Sequence, residues 1–491
     1  MKIITDLHIH SKYARGCSNR LDVENIWKSC VIKGVDLIGT GDFTHPKWLE
    51  ELQNYLEENG RGLFLPKKKY LKKWINDISN DLNQEVVDKL NNKNYPMFVL
   101  QTEINSVFAR GEKKSRIHNC ILIDSFDNAK AILSYLSQFG NVESDGRLAV
   151  KQDQSETLVW LKSNFPQSIF FPAHIWTPYF GVLGSRFGFE SLSIAYQDSL
   201  NLIDCIETGL SSDPFMNWMF DELDKFSIIS TSDAHSPENF ARESTTFVLE
   251  GVFLSLVDLS YKDLEIALKQ TKYNFGDLHN IEKVYLTKLF ENKPNLFLDG
   301  TIEFFPQEGK YFGDGHKKCG LLITPKDTVK YNGQCPRCGG KITVGVLHRS
   351  FTLANVDRKK QVNYGGKDFW GESEIIEIAK DFLRPDYRFI VPLRDIIREV
   401  FEAKRGTKKS QRIYNELIKE FGSEFHLLLD AEIEKIKNYS EKLAEGIDKI
   451  RKGNIFIRSG FDGEYGVVSI FDKPNDLEGQ NGGFSIQESL F

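Results

Sequence analysis

The sequence predicts an α/β fold whose largest domain, residues 1–295, is a parallel sheet with helices, open or closed into a β/α barrel. Three observations predict it. Seven short apolar runs punctuate the first half: Lys2–Ile9, Val35–Phe43, Met97–Val107, Ile117–Ile123, Ser168–Ile175, Leu202–Leu210 and Phe226–Asp233. Segments of helical spacing, such as Asp22–Lys33 and Asp213–Lys225, lie between several of them, and the whole stretch approaches the ~250 residues typical of a β/α barrel. Polar or ionisable residues fall late in these runs: His8 and His10, Asp42, Glu103, His174, Glu207, and Asp233 with His235. Late in a run is where a β/α barrel keeps its chemistry, at the C-terminal ends of the strands.

The rest of the chain changes character. With 491 residues it is long enough for two or three domains. Residues 300–352 are rich in Gly, Cys and Lys and read as a small separate module. Residues 353–472 are mixed and mainly helical, with helical spacing at Leu393–Lys404, Ser410–Phe421 and Ala431–Gly453, a strand-like piece at Asn454–Arg458 and a turn at Ser459–Gly466. The tail, 473–491, is polar and Gly-rich, a composition that orders only against a partner. No internal repeat is visible.

Composition narrows the class. No apolar stretch is long enough to span a bilayer, and MKIITDLHIH has no signal-peptide core, so a soluble cytoplasmic protein is expected. The net charge of −6 does not mark a nucleic-acid binder, so any DNA contact has to come from local Lys and Arg. KKKYLKKW (Lys67–Trp74) offers five such lysines, although a solvated helix face is the ordinary role of a charge run. Cys30, Cys120 and Cys205 sit in apolar stretches and read, like Cys17, as reduced thiols rather than a disulfide set.

Six of the ten histidines fall in DLHIHS, GDFTHP, RIHN, PAHIW and SDAHS. His8 and His10 are two positions apart, which on a strand puts both imidazoles on one face. Asp233 and His235 repeat that spacing, and Glu103 in QTEIN is placed to bridge two ions. Imidazole suits Zn, Mn or Fe, and carboxylate suits Mn and Mg. A lone strand histidine is ordinarily a hydrogen-bonded core residue, but this many ionisable groups at strand ends would be costly to bury without a cation. Asp6 is expected behind the ligands, orienting an imidazole, and Glu207 either behind them or at a strand end.

These motifs resemble those of the polymerase-and-histidinol-phosphatase (PHP) superfamily, and more closely its endonuclease Q branch. The resemblance runs through GTGDFTHPKWL, ESDGR, PAHIWTPYFGVLGSRFGFESL, ETGLSSDPFMNW, TSDAHSPENFARE, GKYFGDGHKKCG, CPRCGGKITVGVLHR and GFDGEYGV. It implies a distorted seven-stranded β/α barrel holding two or three divalent ions (Zn, Mg or Mn). Its ligands would be His8, His10, Asp42, Glu103, His118, His174, Asp233 and His235, with His45 sharing or replacing Asp42. It also implies DNA as partner, damaged duplex or single strand. The phosphodiester 5′ to a deaminated base (uracil, hypoxanthine) or abasic site would be cut by multi-metal catalysis. Glu103 and Asp233 are then catalytic. Arg186 and Arg242 are candidates to neutralise phosphate oxygens. Trp176, Tyr179 and Phe180 are candidates to line a pocket for an extruded base.

His316, Cys319, Cys335 and Cys338 form H-x2-C-x15-C-x2-C, two ligand pairs on turns that suit one closed tetrahedral zinc of structural type. The final QESLF, with Gln487, Leu490 and Phe491, resembles the short peptide by which bacterial repair proteins dock on the sliding clamp. Two other readings stand beside the endonuclease. One is a PHP-type phosphatase or exonuclease acting on small phosphate esters or DNA ends. The other is a nucleic-acid-binding or clamp-associated protein with a purely structural cluster.

Overall fold

The computed structural model describes residues 1–249, 256–274, 296–354 and 385–471. Each of the seven apolar runs coincides with or overlaps a strand: Lys2–Asp6, Leu37–Gly39, Met97–Arg110, Lys113–Ile123, Ile169–Pro172, Cys205–Glu207 and Ser227–Ile229. The helices have local causes. Helix Val23–Lys33 begins after Asp22, whose carboxylate accepts the Asn25 N–H, and ends at Gly34 in the left-handed region. It buries Val23, Ile26, Trp27 and Cys30, and a side chain such as Ile26 contributes roughly 1.5–3 kcal/mol by leaving water.

Two helical patterns differ from expectation. The Asp213–Lys225 pattern yields only the short helix Pro214–Trp218 and a 3-10 turn at Asp221–Lys225, because Phe220 between them is extended (φ −114°, ψ 106°). The Ala431–Gly453 pattern splits into Ile433–Tyr439 and Glu441–Arg451. Ser440 leaves helical backbone there (φ −160°, ψ 120°), and its side chain accepts the Leu443 N–H to start the second helix. The basic run lies on helix Lys68–Ile78, with Trp74 buried against Trp27 and Lys68, Lys69, Lys72 and Lys73 facing solvent.

The sheet is mixed where a parallel one is expected. Met97–Arg110 and Lys113–Ile123 form an antiparallel hairpin, since the two residues between them are too few for a crossover helix; Gly111 turns the chain at φ 59°. Lys2–Asp6 runs parallel to Leu37–Gly39 and antiparallel to Ser244–Leu249. Ser244–Leu249 pairs in turn with Leu296–Phe304, and that strand with Asp386–Ile390. Continuous ladders join eleven strands among the described residues, while Cys205–Glu207 and Ser227–Ile229 form a separate parallel pair.

Single backbone bonds flank that pair. On one side Asp204 N donates to Phe170 O (3.0 Å) and Ile175 N to Glu207 O (3.2 Å); on the other, Asp233 N donates to His8 O (3.0 Å) and His10 N to Ala234 O (3.2 Å). One apolar cluster draws on all seven runs, through Leu7, Leu37, Val99, Leu122, Phe171, Cys205 and Ile229. A larger cluster lies between the sheet and the helices and continues into the C-terminal helices Leu393–Val400 and Lys408–Phe421. Those helices are tied down by Glu424, which meets Lys33 at 3.1 Å and accepts from Tyr414 Oη (2.7 Å) and Leu393 N (3.0 Å). A buried pair satisfied in this way fixes geometry more than it adds stability. Among the described residues no helix is long and apolar enough to cross a membrane.

Candidate metal centre

The H-x-H and D-x-H segments lie side by side, joined by the bonds Asp233 N to His8 O and His10 N to Ala234 O. His8 and His10 are wholly buried, and the spacing puts both rings on one side. His10 Nε2 stands 3.0 Å from Asp233 Oδ1, and His8 Nε2 stands 3.8 Å from the same oxygen. These three side chains form one group able to hold a cation.

Glu103, His118 and His174 form a second such group. Glu103 and His118 come from the two strands of the hairpin, and His174 from just beyond Ile169–Pro172. Glu103 Oε1 is 2.6 Å from His118 Nδ1 and 3.2 Å from His174 Nε2, and the two ring nitrogens are 3.3 Å apart. The other Glu103 oxygen faces His10 Nε2 at 3.4 Å. Glu103 therefore stands between the two groups.

The outer partners fix the rings. Glu207 accepts from His8 Nδ1 (2.9 Å), from the His174 N–H (2.5 Å) and from the Thr231 hydroxyl. Asp42, expected as a ligand, instead sits behind His10: it meets His10 Nδ1 at 3.0 Å and accepts from Ser11 N and Ser11 Oγ. Each carboxylate holds an Nδ1–H and leaves Nε2 facing Glu103 and Asp233. Asp6, expected behind an imidazole, accepts from Ser232 N, Ser232 Oγ and Ala241 N, so it anchors the loop carrying Asp233.

The donor atoms fit divalent cations. His8 Nε2, His10 Nε2, Glu103 Oε2, His174 Nδ1 and Asp233 Oδ1 are buried without a hydrogen-bond partner, an arrangement that needs a compensating charge. The electrostatics agree. Burial pushes His8 down, but Glu207, Glu103 and Asp233 outweigh it and raise the ring to about 9; Asp42, Asp233 and Glu103 likewise lift His10 well above its ordinary value against burial. Burial raises Glu103 and Asp233, but the histidines around them hold both well below the carboxylate range. His118 falls to about 4 through burial, with His174 and Arg147 adding to the effect. The pocket draws positive charge, and cations would displace the protons otherwise held there.

The backbone is strained at these positions. Asp42, His174 and Asp233 have φ of 43°, 30° and 45°, a region that non-glycine residues adopt at a cost and keep only when their surroundings dictate it. Gly209 shows one such surrounding: a Cβ there would lie 2.4 Å from His174 Cβ.

Other expected residues fall elsewhere. His45 stacks on Tyr13 (4.5 Å) at the start of helix Pro46–Tyr55 and lies outside both groups. His235 lies at the rim, one third exposed, with its ring 4.7 Å from that of His10 and Nδ1 bonded to Asp233 O at 2.8 Å. Arg242 donates to Ser232 O (3.2 Å), and Arg186 to Thr343 Oγ1 (3.1 Å) and Ile342 O (3.3 Å); their guanidinium bonds go to the scaffold. Trp176 is 1% exposed and donates to Asn217 Oδ1, a core residue rather than a pocket wall. Tyr179 packs near Phe187 and Tyr311, and Phe180 stacks on His118 at 4.4 Å. Gln487, Leu490 and Phe491 lie outside the described residues.

Arg147 is the residue that sequence reasoning did not single out. Its Nη1 lies 3.6 Å from Glu103 Oε2. The cause is register: Leu148–Val150 pairs parallel with Met97–Arg110, Ile104 opposite Leu148, which sets Arg147 beside Glu103. Its place in ESDGR immediately before an apolar triplet was the available signal.

The cysteine module is a second, separate centre. His316, Cys319, Cys335 and Cys338 place one ligand atom each within 4.8 Å of one another. Gly340 N donates to Cys338 Sγ (3.4 Å). Burial pushes the Cys335 thiol up, but the backbone at Arg337 and Cys338 outweighs it and brings it down to about 7, toward the thiolate a metal requires.

A family model described as the MJ0043 C-terminal domain matches residues 392–454. The chain is similar to the uncharacterized protein MJ0043 of Methanocaldococcus jannaschii, 31% identical over 279 residues, which are 56% of this chain and 29% of that protein. It is also similar to the uncharacterized protein YqxK of Bacillus subtilis, 25% identical over 301 residues, 61% of this chain and 60% of that one. The chain thus spans less than two thirds of the length of either relative. Among solved structures it is similar to the lesion-specific endonuclease PfuEndoQ of Pyrococcus furiosus, with TM-score 0.71, 25% identity, and 97% of this chain and 99% of that one covered. This chain belongs to the endonuclease Q family. An endonuclease Q in complex with a 27-mer duplex substrate with an abasic lesion at the active site has the same fold, with TM-score 0.72, 24% identity, and 97% and 100% of the two chains covered. In endonuclease Q terms, the similarity reaches from the His8 segment through the cysteine module to the C-terminal helices.

Proposed function

We propose that this protein is a metal-dependent DNA repair endonuclease that hydrolyses the phosphodiester 5′ to a deaminated base, uracil or hypoxanthine, or to an abasic site. One observation carries the reading: His8, His10 and Asp233, and again Glu103, His118 and His174, bring their donor atoms within 4.8 Å of one another, with Glu103 Oε2 3.4 Å from His10 Nε2 between the two groups. The structural likeness to a lesion-specific endonuclease supplies the substrate class.

In this proposal His8, His10 and Asp233 hold one divalent cation, and Glu103, His118 and His174 a second. Zn, Mg or Mn suits the donors. Such ions supply hydroxide near neutral pH and stabilise charge on the attacking and leaving oxygens. The chain's own residues do the rest. Glu207 and Asp42 lock the imidazoles, and Arg147 neutralises a non-bridging phosphate oxygen. The mixed sheet and the Cys205–Glu207/Ser227–Ile229 pair are read together as the distorted seven-stranded PHP barrel, supported by the backbone bonds that flank that pair and by the apolar cluster common to all seven strands. The four-ligand centre is read as one structural zinc in a 300–352 module, beside a 1–295 barrel and a 353–472 helical domain. QESLF is read as a clamp-docking peptide, tested by clamp pulldown with and without residues 485–491.

The deciding experiment uses duplexes bearing one uracil, hypoxanthine or abasic site, with Mg, Mn or Zn, and maps the cut on a sequencing gel. A nick on the 5′ side of the lesion, absent from undamaged duplex, is expected. Hydrolysis of small phosphate esters without any lesion-dependent nick would move the assignment to a phosphatase or exonuclease.

A further inference from the structure

The segment after His174, residues 175–190, folds on itself. Leu183 N donates to Ile175 O (2.8 Å), Gly181 N to Thr177 O (2.9 Å), Arg186 N to Pro178 O (2.8 Å) and Phe189 N to Val182 O (2.6 Å). The packing is so close that a Cβ on Gly184 would lie 2.1 Å from Thr177 O. One side of this loop serves the central cluster. It starts at His174, Phe180 O accepts the His118 N–H (3.0 Å), and the Phe180 ring stacks on the His118 imidazole.

The other side is gripped by the chain leaving the cysteine module. Ser185 Oγ donates to Val344 O (2.9 Å), and Arg186 Nη2 to Thr343 Oγ1 and Ile342 O. Arg349 donates to Leu183 O (2.9 Å), Phe189 O (3.0 Å) and Glu190 Oε2 (3.1 Å). Ile342 belongs to the same small core as Cys335 and Leu321. Six hydrogen bonds thus run between residues 342–349 and the loop that carries one ligand and stacks on another.

We infer that the cysteine module braces the Glu103–His118–His174 half of the cluster, with Arg349, Arg186 and Ser185 as positioning residues acting through loop 175–190. The inference rests on reading those three side chains as metal ligands. The physical need is specific. His118 Nδ1 and His174 Nε2 are held 3.3 Å apart, and His174 keeps a left-handed backbone that its surroundings must impose. The His8–His10–Asp233 half is held by Asp42, by the pairing of its own two segments and by Glu207, the last of which also accepts from the His174 N–H. Loosening the brace therefore weakens one half selectively.

The test uses full-length protein without DNA, loaded with Zn or Mn. Cation content is measured by elemental analysis, and release by competition with a chromogenic chelator. Arg349→Ala is expected to release one of two central cations roughly tenfold or more faster than wild type, while the other central cation and the module's own ion stay. Arg349→Lys, which keeps one donor, is expected to recover part of the retention. Cys335→Ser is expected to show the same selective loss together with loss of the module's ion. Should Arg349→Ala fail to fold, Arg186→Ala, which removes two of the bonds, reads the same release. Unchanged release in the arginine variants overturns the inference, as does loss of both central cations together, which marks general loosening. Wild-type protein holding no central cation overturns the ligand reading itself. None of these readouts requires lesion cleavage, so failure of the proposed function would be seen separately.

Discussion

The two ligand constellations are built in opposite ways. The central cluster collects His8, His10, Glu103, His118, His174 and Asp233 from strands spread across the first half of the chain, and sets them above an apolar core fed by seven strands. The cysteine module takes all four ligands from residues 316–338 and rests on a buried core of Leu321, Cys335 and Ile342. In the first, the fold positions the ligands before any cation arrives. In the second, on the proposed reading, the core is too small to fold unaided and cation binding supplies the folding energy. On that reading one region uses structure to hold metal and the other uses metal to hold structure.

Chelation gives the largest contrast. Removing divalent ions is expected to abolish amide protection around residues 314–343 while strands Met97–Arg110 and Lys113–Ile123 stay protected, as read by hydrogen exchange. Equal loss in both regions would break the comparison. Glu103→Gln comes next: it removes the carboxylate standing between the two halves of the cluster. Lesion cleavage is expected to fall by about 10³-fold or more, with near-native circular dichroism and thermal unfolding. A variant that unfolds would show that the central fold also depends on its ligands.

Arg147→Ala sharpens the central site alone. It is expected to lower kcat by about 10²-fold with central cation content unchanged, and Arg147→Lys to restore part of the rate. Loss of cations instead would assign Arg147 to the support of Glu103.

The smallest effect lies outside both centres. Glu243, immediately before strand Ser244–Leu249, and Glu303, on the paired strand Leu296–Phe304, are both wholly buried. Burial first, then the neighbouring carboxylates, raises both acids, Glu303 to about 8. The folded state therefore holds a proton that the unfolded chain releases near pH 4.5. Stability from this pair is present below about pH 4.5 and declines as pH rises toward about 8. Glu243→Gln is expected to raise the melting temperature by about 1–4 °C above pH 8 and to leave it unchanged near pH 4, measured by scanning calorimetry. A uniform shift at both pH values would show that the effect does not come from ionisation of these acids.

Much of this was legible in the chain. The seven strands follow from apolar runs bounded by polar residues. The H-x-H pair announces a shared face, because strand periodicity is local; at D-x-H the left-handed backbone of Asp233 breaks that periodicity and leaves His235 at the rim. The cysteine module is equally plain, since all its ligands fall within one short span. Tertiary structure alone decided how these pieces face one another. It turned Met97–Arg110 back on Lys113–Ile123, put Asp42 on the far nitrogen of His10, and brought Arg147 beside Glu103 through the Ile104–Leu148 register. It also spent Arg186 and Arg242 on backbone carbonyls and neighbouring loops. A residue's period along its own strand is written in its neighbours. Its partner on another strand depends on register and loop path, and these are set only when the whole core closes.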